Sequence, residues 1–136
     1  MKGRVLGIDY GEKRIGLALS DPMRIIASPF DVLHRQDLES DLAYLTQLID
    51  EQEVVALAVG QPKNTDGTSG EMVDRVERFI VRLTDLRELP VHWIDETYTS
   101  IEADSLLRQA HRDWQSRKKK VDKVAAQLIL RTFIDG

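Results

Sequence analysis

The chain contains no cysteine. Disulfides, thiolate zinc sites and a cysteine nucleophile are excluded, which fits a reducing cytosol. Long hydrophobic runs are missing too. The longest, Val54-Val55-Ala56-Leu57-Ala58-Val59, falls far short of the roughly 18 residues that a spanning helix needs. Lys2 and Arg4 precede only Val5-Leu6-Gly7-Ile8, which is too short for a signal-peptide core and ends in Asp9. A cytoplasmic, or at least unexported, protein without a membrane partner is the expectation. Positive charge is also in deficit, with 19 Lys and Arg against 23 Asp and Glu, a net charge of −4. No global field draws such a chain onto nucleic acid, so a polyanion must be held by a local patch or through a metal ion. The three histidines are scattered, and neither a His-Glu-x-x-His pair nor a Gly-x-Ser-x-Gly elbow occurs. A zinc peptidase and a serine triad are poorly supported.

What is present reads as one domain spanning residues 1–136, a length within the usual single-domain range of roughly 100–200 residues. Val5 to Tyr10 is a nearly continuous apolar run, as in a strand buried on both faces. Gly11-Glu12-Lys13 supplies a turn, and Arg14 to Ser20 reads as a second strand. After Asp21-Pro22, Ile25 to Leu33 forms a third, with Pro29 suggesting an edge position. Turns this short favour antiparallel neighbours. Asp37 is an N-cap for a helix with Leu38, Leu42, Leu45 and Ile49 at helical spacing. Val54 to Val59 is a buried strand. Thr68-Ser69-Gly70-Glu71 has capping-box spacing before Met72, Val76, Phe79, Ile80 and Leu83. Val91 to Asp95 is a short strand that makes Trp93 a core candidate. Thr99-Ser100-Ile101-Glu102 opens a helix through Ala110, and a last helix runs from about Lys119 to Ile134. The pattern predicts an α/β fold: a five-stranded mixed sheet, three N-terminal antiparallel strands and two parallel ones, flanked by helices. The C-terminal ends of the parallel strands then share one edge, where sites of such sheets usually lie.

Three acids map to that edge. Asp9 ends the most apolar strand, and its face-mates are Val5 and Gly7. Glu96 follows the last strand in the parity of His92 and Ile94. Asp122 opens the apolar face of the final helix, ahead of Ala125, Ala126, Ile129 and Phe133. Each acid alone has a structural reading: Asp9 bonding turn amides, Glu96 capping the next helix, Asp122 pairing with Lys118 or Lys119. Together they form a carboxylate cluster that needs a compensating cation. Oxygen-only ligands select hard ions such as Mg2+ or Mn2+, and two such ions ~4 Å apart can activate water against a phosphodiester. The metals would also answer how an acidic chain holds a polyanion.

Basic residues flank the acids: Lys13 and Arg14 just beyond Asp9, and Arg117, Lys118, Lys119 and Lys120 just before Asp122. Phosphate contact is the sharper reading of these runs, and a solvated face the plainer one. Gly7, Gly11 and Gly16 bracket Asp9 and allow close approach of backbone or phosphate. Gly60 to Gly70 is a long polar loop leading into a helix N-terminus, by itself a weak anion-site signal. Tyr10 and Tyr98 are candidates for base stacking, or simply for core or rim positions.

On these residues the sequence resembles the YqgF/RuvX family, bacterial relatives of Holliday junction resolvases with an RNase H-like fold. Four blocks carry the likeness across essentially the whole chain: Gly7-Ile8-Asp9-Tyr10-Gly11 through Lys13-Arg14-Ile15-Gly16 to Ser20-Asp21; Gly60-Gln61-Pro62 with Asp66-Gly67; Asp95-Glu96-Thr97; and Asp122-Lys123-Val124-Ala125-Ala126 with Ile129-Leu130. The resemblance implies a metal-dependent nuclease whose catalytic, metal-binding acids match Asp9, Glu96 and Asp122. It implies a role in processing the 5′ end of pre-16S rRNA, or resolution of branched DNA as the alternative, by a monomer or a homodimer. One position departs from the pattern. The family usually has arginine where this chain has Thr97, which motivates the further alternative of a non-catalytic RNA-binding module for ribosome assembly. The Asp-x-Gly element also occurs in actin-like ATPases, but those use two domains and well over twice this length.

Overall fold

The computed structural model describes residues 2–61, 70–95 and 114–136. Five strands form one sheet: β1 (Arg4–Asp9), β2 (Arg14–Ser20), β3 (Ala27–His34), β4 (Val54–Gln61) and β5 (Val91–Asp95). Their order is β3-β2-β1-β4-β5. The β1–β2 and β2–β3 pairs are antiparallel, and β4 and β5 run parallel to β1. The mixed sheet is the one the sequence predicts. Three helices pack on it: α1 (Leu38–Glu51), α2 (Gly70–Leu86) and α3 (Trp114–Asp135).

The pleat divides the core in two. Leu6 and Ile8 of β1, Ile15, Leu17 and Leu19 of β2, and Leu57 and Val59 of β4 face α1 and α2, where they meet Leu42, Leu45, Val76, Phe79 and Leu83. Val5, Ala18, Ala56 and Ala58 face the other way, onto Ala126, Ile129 and Leu130 of α3. The second layer is lined by small residues, so α3 lies close to the sheet. Gly7 sets the closest approach: a Cβ built there would stand 2.9 Å from the Ala126 carbonyl oxygen and 2.9 Å from Leu130 Cβ. Neither atom is the free end of a flexible side chain. Gly7→Ala is expected to destabilise the fold by about 1–3 kcal/mol, the usual cost of overpacking a filled interface. Thermal unfolding measures it, and an unchanged midpoint would contradict the close packing of α3.

Local chemistry accounts for the element ends. The Asp37 carboxylate accepts a hydrogen bond from the Ser40 amide at 2.8 Å and caps α1. The bonds from the Ser40 amide and hydroxyl hold its carboxyl below the ordinary carboxylate range. Asp21 accepts from the amides of Ile25 and Ile26 at 2.7 and 2.8 Å, which fixes the β2–β3 turn. The buried Ser20 hydroxyl accepts from the Val5 amide at 2.8 Å and donates to the Asp21 carbonyl at 2.9 Å. Pro29 does lie on an edge strand. The β2–β3 register shifts between Leu17 and Ala18, which pair with Asp31 and Pro29 and leave Phe30 as the extra residue of a bulge.

Two expectations need correction. Trp93 is 38% exposed rather than core. It lies on β5, at the end of the strand order, where its partner Val59 is wholly buried but Trp93 itself reaches beyond the helical cover. The last helix begins at Trp114, five residues before the predicted start at Lys119. The predicted helix from Thr99 to Ala110 lies outside the described residues, as does most of the Gly60–Gly70 loop. No helix among the described residues is long and apolar enough to cross a membrane.

Candidate active site at the sheet edge

Register carries the ends of three parallel strands to one edge. Ile8 of β1 pairs with Val59 of β4, and Val59 pairs with Trp93 of β5. Asp9, Gly60 and Ile94 therefore occupy neighbouring levels, across two strand spacings of roughly 5 Å each. Parity selects the face. Val5 and Gly7, the face-mates of Asp9, pack on α3, and so do Ile94 and the His92 ring, which lies 4.5 Å from Phe133 between centroids. The half-buried Asp9 thus ends β1 on the α3 face.

Gly16 pairs with Asp9 across the β1–β2 ladder and places no side chain beside the carboxylate. Arg14, two residues from Gly16, shares the parity of Gly16 and Ala18 and stands diagonally across from Asp9 on the same face. Lys13 is exposed in the turn. The register thus brings Asp9 and Arg14 together on one face, with Lys13 in the adjoining turn. Asp122 belongs to α3, one turn before Ala126, whose carbonyl meets Gly7. About 6 Å of helix rise separates Asp122 from that contact. Glu96, Thr97 and Tyr98 lie outside the described residues, as do the side chains of Lys118, Lys119, Lys120 and Asp122. Among the described residues no three His, Asp or Glu side chains form a metal-binding group, and two of the three expected ligands lie beyond that set.

Tyr10 takes a position at the rim of the core. It lies on the opposite face from Asp9, packed on Phe79 with ring centroids 5.2 Å apart. Its hydroxyl accepts a hydrogen bond from Arg35 at 2.6 Å. Arg35 and Asp41 escaped the sequence reading, yet they brace the turn that follows Asp9. The Arg35 guanidinium lies 4.8 Å from the Tyr10 ring centroid, donates to the Gly11 carbonyl at 3.3 Å, and pairs with buried Asp41 at 3.0 Å. The Arg35 amide donates to the Lys13 carbonyl at 3.0 Å. Burial opposes the guanidinium charge, but the bonds to Tyr10 and Asp41 outweigh it and raise the Arg35 pKa above its ordinary value. An Arg six residues before an Asp, at a helix entry, is the only sequence trace of this lock.

The profile of the RuvX family, described as Holliday junction resolvase, matches residues 3–136. A relative from Natranaerobius thermophilus is 39% identical over 132 residues, covering 97% of this chain and 94% of its own length. Another from Desulforamulus reducens is 39% identical over 133 residues, with 98% and 97% covered. Both carry the provisional name of pre-16S rRNA nuclease. Among solved structures, RuvC of T. thermophilus in complex with a Holliday junction substrate superposes with a TM-score of 0.63 at 15% identity, over 98% of this chain and 96% of that one. The fowlpox virus resolvase in complex with Holliday junction DNA gives 0.57 at 11% identity, with 97% of each chain covered. The fold is that of these resolvases, and the chain belongs to the RuvX family.

Proposed function

We propose that this chain is a divalent-metal-dependent nuclease whose physiological substrate is the 5′ region of pre-16S rRNA. The observation that carries the reading is the placement of Asp9. It ends a buried strand, on the face covered by α3 and level with the end of β5, the two elements that bear or adjoin the other two acids. Its relatives' names supply the substrate class.

The donor chemistry fits a hard ion. Asp9 offers oxygen beside a glycine, there is no thiol in the chain, and His92 is engaged with Phe133. Asp9, Glu96 and Asp122 would hold Mg2+ or Mn2+. A bound ion of this kind stabilises charge on the phosphodiester oxygens and makes water more acidic. Asp9 would supply a ligand from the end of β1, and Glu96 and Asp122 would supply the others. Arg14 holds a phosphate on the same face, Lys13 adds an exposed cation at the turn, and Lys118, Lys119 and Lys120 extend the contact before Asp122. With Thr97 in place of arginine, Arg14 or a lysine of the 118–120 stretch takes the role that arginine usually fills. The whole chain acts as one nuclease domain in the cytoplasm, where precursor rRNA is found.

The family description favours a second reading, cleavage of branched DNA. An assay offering precursor rRNA and a four-way DNA junction side by side, with Mg2+, Mn2+ or EDTA, separates the two. Metal-dependent cleavage of the RNA is expected. Cleavage of the junction alone would overturn the substrate, and RNA binding without cleavage in any metal would overturn catalysis.

A further inference from the structure

On the opposite side of the sheet edge from Asp9, a groove of about 780 Å³ runs from Tyr10 and Arg35 along α2. Its α2 wall is segregated by charge. At about 100° per residue, Arg75, Arg78 and Arg82 fall within an arc of roughly 60°, beside the buried stripe that holds Phe79. Asp74, Glu77 and Asp85 fall in a neighbouring arc roughly 90° away. Arg75 is engaged with Glu12 of the β1–β2 turn. Arg78 and Arg82 are exposed and make no ion pair or hydrogen bond among the described residues. The lining also includes apolar surface, Leu38 at the start of α1, 37% exposed, and Val81, 56% exposed, which falls in the acidic arc of α2.

Two guanidinium groups without an ion pair, about one helical turn apart, in a groove that also exposes apolar surface at Leu38, match an unpaired nucleic-acid strand better than a duplex. A single strand presents phosphates and bare base faces together, whereas a duplex stacks its bases away from such a wall. The far wall is rigid, because Arg35 is fixed on Tyr10, Gly11 and Asp41. The groove begins at Tyr10, one residue after Asp9, so a strand cut at the α3 face has a short path over the sheet edge into it. We propose that this groove binds the single-stranded flank of the substrate, with Arg78 and Arg82 each taking a phosphate. The proposal rests on the nuclease reading and extends it to a surface remote from the acids.

The test uses the full chain in EDTA, so that nothing is cleaved, and fluorescence anisotropy with two RNA hairpins, one blunt and one with a single-stranded tail. Wild type is expected to bind the tailed RNA more tightly. Arg78→Ala with Arg82→Ala should weaken tailed binding about tenfold and leave blunt binding unchanged. It should also reduce the salt slope by about 1.4, for two single-strand phosphates at ~0.7 each. Arg78→Lys with Arg82→Lys should restore the slope. Both positions are exposed on a helix and alanine favours helix, so circular dichroism should show a folded variant. Equal wild-type affinity for the two hairpins would overturn the groove and leave the nuclease reading standing. Binding of neither RNA would overturn both. Altered self-association at unchanged RNA affinity, seen by sedimentation, would reassign the face to contact between copies of the chain.

Discussion

Asp9→Asn is expected to abolish cleavage while the protein stays folded. The substitution keeps the shape of the side chain and removes the negative charge that an ion needs. The stabilisation lost from the reacting phosphate is several kcal/mol, and each 1.36 kcal/mol is tenfold in rate. A fall of about 10³-fold or more in turnover should follow. Thermal unfolding should show a midpoint close to wild type, because Asp9 sits at a half-buried strand end rather than within the core. Glu96→Gln and Asp122→Asn should behave alike if the three acids share an ion. Wild-type turnover by the Asp9→Asn protein would remove this carboxylate from the chemistry, and residual turnover in all three variants alike would point to a contaminating nuclease.

Arg35→Ala is expected to be the most damaging single change to a charged side chain. Asp41 is only 1% exposed, and its partners are Arg35 and the Gln36 amide at 3.2 Å. Removing the guanidinium leaves a buried acid without its counter-charge, which typically costs about 3–5 kcal/mol. The Tyr10 hydroxyl and the Gly11 carbonyl lose a donor at the same stroke. Arg35→Lys should recover little, since one ammonium cannot serve three acceptors from a fixed plane. Urea unfolding measures the loss. Midpoints for Arg35→Ala and the double variant Arg35→Ala with Asp41→Ala separate the cost of the stranded charge from that of the lost contacts, and the double variant should be the more stable. A single variant as stable as wild type would show that the pair carries no stabilisation.

Strands and helices were readable where the apolar pattern is local. Val5 to Ile8 and Val54 to Val59 read as strands buried on both faces, which holds except at Val55, 41% exposed, and the short turns after Asp9 and Ser20 pointed to antiparallel partners. Asp9 was legible as an acid at the end of an apolar run, and Asp37 as a capping residue ahead of Leu38, Leu42, Leu45 and Ile49 at helical spacing. Trp93 misled because its strand has the composition of a central one, while its position in the sheet depends on where the chain goes afterwards. The start of α3 was hidden because residues Trp114 to Lys118 show no apolar stripe, and a polar turn can extend a helix without any pattern to betray it. The Arg35 lock was invisible because its members, Tyr10, Gly11 and Lys13 of the β1–β2 turn, Asp41 of α1 and Phe79 of α2, come from three segments besides Arg35 itself. No spacing rule joins them. Only the folded sheet brings the guanidinium over the ring.

The outer strand has a consequence for life in a crowded solution. An open sheet offers a row of amides and carbonyls to any passing chain, and flat rims of this sort seed fibres. Here β3 carries a proline that has no amide to offer, and beside it Phe30 interrupts the regular alternation with a kink. A newcomer strand would find the ladder broken halfway along. That irregularity works against neighbouring molecules stitching themselves together.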